Sequence, residues 1–176
     1  MTLWTIGHST RPIDEFLALL QEHGIGTLAD VRRFPGSRRH PHFGQDALAA
    51  SLNGAGVRYE HFPELGGRRK PRRDSPNAAW RHAAFRGYAD YMMTAEFEDG
   101  IARLLTVAAG ARTAVMCAEA VWWQCHRGLI SDYLKAAGHD VIHIQGPNRS
   151  EQHPFTSAAR IVNGSLTYAL EPDLLS

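Results

Sequence analysis

The chain is poor in several features that would assign it quickly. Its 176 residues include two cysteines, Cys117 and Cys125. That is too few for a disulfide framework, and with no basic-then-apolar leader over Met1 to Ile6 it points to a reducing, cytoplasmic setting. No apolar run approaches the roughly 18 residues of a membrane span, so no membrane association is expected. A Walker-type loop, a Gly-x-Gly-x-x-Gly turn and a Gly-x-Ser-x-Gly elbow are all missing. Their absence argues against a nucleoside triphosphatase, a dinucleotide oxidoreductase and an α/β-hydrolase, and no cofactor is expected. There is no Cys-x-x-Cys either. The one His-x-x-x-His, His139 to His143, runs into an expected strand, which would hold the two rings too far apart to share a metal.

Net charge is also low, at +1, which excludes a strongly cationic protein but conceals a division. From Val31 to Arg86 twelve basic residues face four acidic ones, a local charge of +8, and the remainder carries −7. Such asymmetry creates an anion-attracting face even near overall neutrality. Seventeen of the nineteen basic residues are arginine, so base composition is an alternative source of the run. With 44% hydrophobic and 21% charged residues, the chain reads as one globular domain over 1–176, long enough to bury a core without staples.

Strand-sized apolar runs alternate with helical spacing. Leu3 to Ile6 is a strand, and the residues after Pro12 form a helix carrying Phe16, Leu17, Leu19 and Leu20. Thr27 to Val31 is a second strand leading into an Arg/Pro/Gly loop. Asp46 to Ala55 is a short helix and Val57 to Phe62 a third strand. Arg68 to Pro76 reads as a mobile loop. Trp80 to Ala109 reads as two helices broken near Glu98-Asp99-Gly100. Thr113 to Cys117 is the expected central strand, followed by a helix from near Cys125 to Ala137, stopped by Gly138. Val141 to Ile144 is another strand, and Asn163-Gly164 turns a C-terminal β-hairpin. The expected fold is α/β: a mostly parallel sheet with helices on both faces.

The residues best suited to chemistry follow the strands: His8 and Ser9 after the first, Asp30, Arg32 and Arg33 at the second, Glu64 after the third, then Cys117, Glu119, Cys125, His126 and Arg127. In a parallel sheet these ends share one edge, where open α/β proteins bind ligands. Cys125-His126-Arg127 opens a helix, whose N-terminal dipole favours an anion and lowers a thiol pKa, and an arginine there suits phosphate or carboxylate. Cys125 is thus either a thiolate nucleophile or an inert buried cysteine. Cys117 is either a second reactive group or the apolar end of a strand. Glu119, His126 and His8 are the proton-transfer candidates. Asp30 either orients an arginine or His126 within the site, or makes a buried structural ion pair. Trp122-Trp123 reads as core, with a lid or a stacking platform as alternatives.

Thr5-Ile6-Gly7-His8-Ser9-Thr10, Asp30-Val31-Arg32 with Pro35-Gly36-Ser37, Leu65-Gly66-Gly67, Gly87 to Met92, and above all Met116-Cys117-Ala118-Glu119 with Cys125-His126-Arg127 resemble the domain of unknown function 488 family, from Trp4 to about Ile144. Other members often carry a charged spacer between the two cysteine signatures, where this chain has Val121-Trp122-Trp123-Gln124. The resemblance implies an α/β fold with these motifs gathered together. It implies no activity.

The expectation is an enzyme acting on an anionic, phosphate-bearing substrate, with a nucleotide or nucleic-acid end as one form of it. Cys125, His126, Glu119 and His8 would be catalytic; Arg127, Arg32, Asp30, Ser9 and Cys117 would bind substrate. The alternatives are a non-catalytic nucleic-acid-binding module using the basic 31–86 surface, and a metal-binding protein.

Overall fold

A computed structural model describes residues 1–172. Six strands form one sheet in the order β3-β2-β4-β1-β5-β6: β1 (Thr2–Gly7), β2 (Thr27–Asp30), β3 (Arg58–His61), β4 (Thr113–Cys117), β5 (Asp140–Gly146) and β6 (Arg149–Gln152). The first five run parallel, and β6 is antiparallel to β5. A separate hairpin pairs β7 (Arg160–Val162) with β8 (Ser165–Thr167), turned by Asn163 and Gly164 at φ 52° and 78°. Positive φ at both positions is what a two-residue type I′ turn demands, and it suits Asn-Gly. The α/β architecture and the C-terminal hairpin are those expected from the sequence.

Alternation along the strands sorts the core into two layers, because successive side chains point to opposite faces. Trp4, Ile6, Leu28, Ala114 and Met116 meet α1 (Ile13–Glu22) and α2 (Gln45–Gly54) through Phe16, Leu19, Leu20, Leu48 and Leu52. Leu3, Ala29, Val115 and Cys117 face the opposite way, towards α3 (Ala83–Tyr91), α4 (Ala95–Gly110) and α5 (Arg127–Ala136). Strand β4 is buried along its whole length between β2 and β1. Its two neighbours continue into helices on one face, while β4 continues into α5 on the other. The loops therefore part at its C-terminal end, the arrangement that opens a ligand crevice in α/β sheets.

Three expectations need correction. The helical break falls at Met92–Thr94, where Thr94 caps α4, and not at Gly100. Gly100 lies inside α4 because the turn Pro63–Leu65 packs onto it: a Cβ there would sit 2.6 Å from Glu64. The Arg68–Pro76 segment is irregular, but it is tied down. Asp90 of α3 accepts hydrogen bonds from Arg72 N–H (2.8 Å), the Ser75 hydroxyl (2.6 Å) and Asn77 Nδ2 (2.7 Å). Strand β6 was not anticipated, because Arg-Ser-Glu-Gln has no apolar face to betray it; it joins the sheet at an edge through its backbone ladder with β5 and side-chain bonds such as Gln145 Nε2 to Glu151 (2.8 Å).

Helix α3 approaches this segment so closely that a Cβ on Gly87 would lie 2.1 Å from the Arg69 carbonyl oxygen. Gly87→Ala is accordingly expected to destabilise the fold by about 1–3 kcal/mol, the typical cost of forcing atoms into a packed interior. Urea unfolding measures it; an unchanged midpoint would refute the contact.

Candidate functional site

The parallel register brings the strand ends level. Gly7 pairs with Cys117 and Asp30 with Met116, and beyond the strands His8 N–H still bonds the Cys117 carbonyl (3.0 Å) and Ser9 N–H that of Ala118 (3.0 Å). Glycine is required at position 7, since a Cβ would overlap the Glu119 carbonyl oxygen at 1.7 Å. Around this edge opens a cavity of about 850 Å³. His8, Ser9, Arg32, Cys117, Glu119, Cys125 and His126 line it; Asp30 and Arg127 do not. Thus most of the residues singled out in the sequence converge, and two stand behind the wall. A smaller apolar cavity of about 390 Å³ between α3, α5 and the hairpin contains none of them.

At the cavity floor the Cys117 and Cys125 sulfurs lie 2.7 Å apart and share a hydrogen bond; both are free thiols. His126 places Nδ1 3.4 Å from the Cys125 sulfur and Nε2 3.1 Å from the Val31 carbonyl. A carbonyl can only accept, so Nε2 carries the hydrogen and Nδ1 presents its lone pair to Cys125. Gly67 leaves room for the ring: a Cβ there would stand 3.0 Å from Nδ1. Burial pulls the His126 pKa below its ordinary value, the nearby Arg127 and Arg69 adding to this. Burial alone would push the Cys125 thiol up, but the Cys117 hydrogen bond and the Arg127 charge and backbone N–H outweigh it, and the thiol is held below its usual range. Cys117 is pushed the other way, by burial and by Cys125 beside it. The pair therefore loses its first proton from Cys125, beside a histidine poised to accept it.

Arg127, expected to grip the substrate, is 1% exposed. Its Nε donates to the Cys117 sulfur (3.0 Å), Nη1 to Thr5 Oγ1 (3.1 Å), and Nη2 to the carbonyls of Glu119 (2.8 Å) and Ala120 (3.4 Å). It is a support for the thiols and the loop. Asp30, expected to bind substrate, is fully buried and holds Arg32 in a bidentate pair through Nε (2.9 Å) and Nη2 (2.8 Å), while accepting from the Tyr59 hydroxyl (2.6 Å). Arg32 also donates to the Phe43 carbonyl (2.8 Å), so this ion pair builds the wall and leaves little of its fork for a ligand. His8 stacks on Phe43 at 4.3 Å and donates Nδ1–H to the Ser9 carbonyl (2.9 Å). Its Nε2 faces Arg32 at 3.4 Å. Desolvation lowers its pKa to about 4, leaving a neutral ring at the cavity surface. The Glu119 carboxylate is exposed at the rim.

Two features were legible in the sequence only in part or not at all. The first is the cavity mouth: Arg32, Arg33 and the basic 31–86 run stood out, but not that Arg38, Arg39 and Arg68 would join them there, giving five arginines against the single carboxylate of Glu119. The other is a buried polar chain behind Arg127. Thr5 Oγ1 meets His143 Nδ1 (2.5 Å), His143 Nε2 meets His153 Nδ1 (2.8 Å), and His153 Nε2 meets Asp132 (2.8 Å). Arg127 can only donate and the Asp132 carboxylate only accept, so His153 Nε2 carries a hydrogen aimed at Asp132. Burial, with His153 and Arg127 beside it, pulls the His143 pKa down to about 2, so that ring is neutral. Trp122 stacks on His143 at 4.7 Å; it is core, whereas Trp123 is 53% exposed. The only sequence signal was an imidazole inside the apolar run Val141 to Ile144. Among the described residues no three His, Cys, Asp or Glu side chains converge as metal ligands, and no helix is long and apolar enough to cross a membrane.

A family model described as Domain of unknown function DUF488 matches residues 12–134. No curated protein and no solved structure matches the chain.

The neutral buried rings make stability pH-dependent. Desolvation lowers the folded-state pKa of His8 to about 4 and of His143 to about 2, from 6.5. Below the ordinary value the unfolded chain binds protons that the folded one refuses, so each contribution is full above pH 6.5 and is lost as pH falls towards the folded value. Unfolding free energy is expected to fall by up to about 1.4 kcal/mol per pH unit for each ring across this window. His143→Gln should flatten the slope in urea titrations; an unchanged slope would contradict a neutral His143.

Proposed function

We propose that this chain, which belongs to the DUF488 family, is an enzyme acting on a small, phosphate-bearing anion, with Cys125 as its nucleophile. The observation that carries this reading is one cavity holding a low-pKa thiol with a histidine acceptor at its floor and five arginines against one carboxylate in its walls. A cavity lined mainly by one sign of charge focuses field and concentrates the oppositely charged ligand. Arg38 and Arg39 are exposed at the mouth and have no ion-pair partner among the described residues; they are the cations free to meet phosphate. His126 Nδ1 takes the Cys125 proton and the thiolate attacks the phosphorus. The P–O ester bond breaks and the alcohol leaves with that proton. A water deprotonated by Glu119 at the rim then attacks the phosphorus, the S–P bond breaks, and phosphate and the Cys125 thiolate are released. Arg127 and Cys117 stabilise the thiolate without touching substrate.

A second reading has its own support. Phe34 is 62% exposed at the mouth, with the Arg33 and Arg68 guanidinium carbons 5.5 and 5.8 Å from its ring centre. A ring flanked by cations is suited to stacking a base next to a phosphate. This favours a nucleotide or a strand end as substrate, and it would equally serve a non-catalytic nucleic-acid-binding module.

Calorimetry with nucleoside monophosphates, followed by turnover on phosphate esters, tests the proposal. The Arg38→Ser/Arg39→Ser double variant should weaken binding by about tenfold, the scale of losing one or two charge-assisted hydrogen bonds. Cys125→Ser should bind normally and turn nothing over. Wild-type turnover by Cys125→Ser would overturn the nucleophile, and equal affinity in the arginine variant would overturn the anion site. Salt-dependent binding of single-stranded oligonucleotide, weakened by Phe34→Ala and accompanied by no Cys125-dependent turnover, would establish the module instead.

A further inference from the structure

The two cysteines of this chain stand on different elements, Cys117 at the end of β4 and Cys125 ahead of α5, yet their sulfurs are in contact at 2.7 Å. A phosphate-directed nucleophile needs one sulfur. The second is held beside it by the Arg127 guanidinium, whose Nε–H points at Cys117 while its backbone N–H points at Cys125 (3.4 Å). A disulfide needs about 2.05 Å between the sulfurs, so closing the gap requires less than an ångström of movement.

We propose that Cys117 and Cys125 form a redox-active dithiol that a small hydroperoxide closes into a disulfide. Access selects the oxidant class. The residues are 2% and 6% exposed, at the bottom of the cavity. A small hydroperoxide reaches a sulfur there; a bulky disulfide cannot align with it. The Cys125 thiolate attacks one peroxide oxygen, the O–O bond breaks, and Cys125 becomes a sulfenic acid while the other oxygen leaves, taking the proton held on His126 Nδ1, as water or an alcohol. Cys117 then attacks the Cys125 sulfur. The S–S bond forms, the S–O bond breaks, and the hydroxyl departs as water with the Cys117 proton. One hydroperoxide thus takes two electrons from two thiols. A small dithiol that enters the cavity reverses the bond by exchange, its two thiols giving up their hydrogens as its own disulfide forms.

Oxidation consumes the nucleophile, so it switches off the reaction proposed above; that corollary rests on the preceding reading, whereas disulfide formation does not. The test is free of substrate. Reduced full-length protein is treated with hydrogen peroxide, then unfolded in a maleimide and weighed intact. Because the chain has only two cysteines, the readout is unambiguous. The wild type is expected to lose both thiols together, to lose the mass of two hydrogens, to remain a single chain, and to recover both thiols in dithiothreitol. Cys117→Ser is expected to stop at a sulfenic acid on Cys125 that dimedone traps; Cys125→Ser is expected to keep its Cys117 thiol under the same treatment. Wild-type protein that keeps both thiols, links only between chains, or oxidises further at Cys125 with Cys117 still free overturns the proposal. Should a variant fail to fold, the wild-type mass decides alone. Absence of the disulfide leaves the phosphate reading standing, and absence of phosphate turnover leaves the disulfide standing.

Discussion

A buried guanidinium organises this protein. Arg127 belongs to α5 but bonds a strand hydroxyl at Thr5, the sulfur that ends β4, and two carbonyls of the loop between β4 and α5. Burying a cation costs several kcal/mol unless its surroundings replace the lost water. They do so here on two sides. Towards the cavity the charge is met by the cysteine pair. Towards the core it is met by a line of dipoles through Thr5, His143 and His153 that ends on Asp132, itself held by Thr156 and Tyr168. Neither side suffices alone: the sulfurs are neutral when protonated, and Asp132 acts only through the intervening groups.

The consequences reach the site. Since Arg127 is committed to this network, its charge acts on the thiols continuously and does not depend on a ligand. The division between a Cys125 thiol held low and a Cys117 thiol pushed up follows from burial and the hydrogen bond they share, with Arg127 adding to the lowering of Cys125. Asp30 and Arg32 repeat the pattern in the facing wall, where an ion pair near the surface of the crevice is spent on holding β2, Tyr59 and Phe43 together. The cations left to meet a ligand are the exposed ones of the Arg33–Arg39 loop and Arg68. The near-neutral chain is thus arranged in shells: compensated charge within, uncompensated positive charge at the mouth.

Much of the fold was legible in the sequence. Strand β4 and the hairpin at Asn163-Gly164 were recognisable from local pattern, because periodicity and turn chemistry are decided by neighbours a few residues apart. Where contacts between distant segments override local preference, the sequence misled. Gly100 looks like a helix breaker until the turn at Glu64-Leu65 is packed on it. The Arg68–Pro76 loop looks mobile until Asp90 accepts its donors. The polar edge strand β6 has no pattern of its own and borrows its structure from β5.

The sequence by itself determined that Cys117, Cys125, His126, Arg127, Glu119, His8 and the Asp30-Arg32 pair would gather at one sheet edge, since a parallel sheet brings every strand end to the same side. Only the tertiary structure decided what each has left to offer. A side chain is free to act on a ligand if its donors and acceptors are not already satisfied, and those partners come from far along the chain: Thr5 lies 122 residues from Arg127 and 138 from His143. No local pattern encodes such a pairing. It converts Arg127 from a candidate ligand group into a buried support and leaves the exposed arginines at the rim with donors still free.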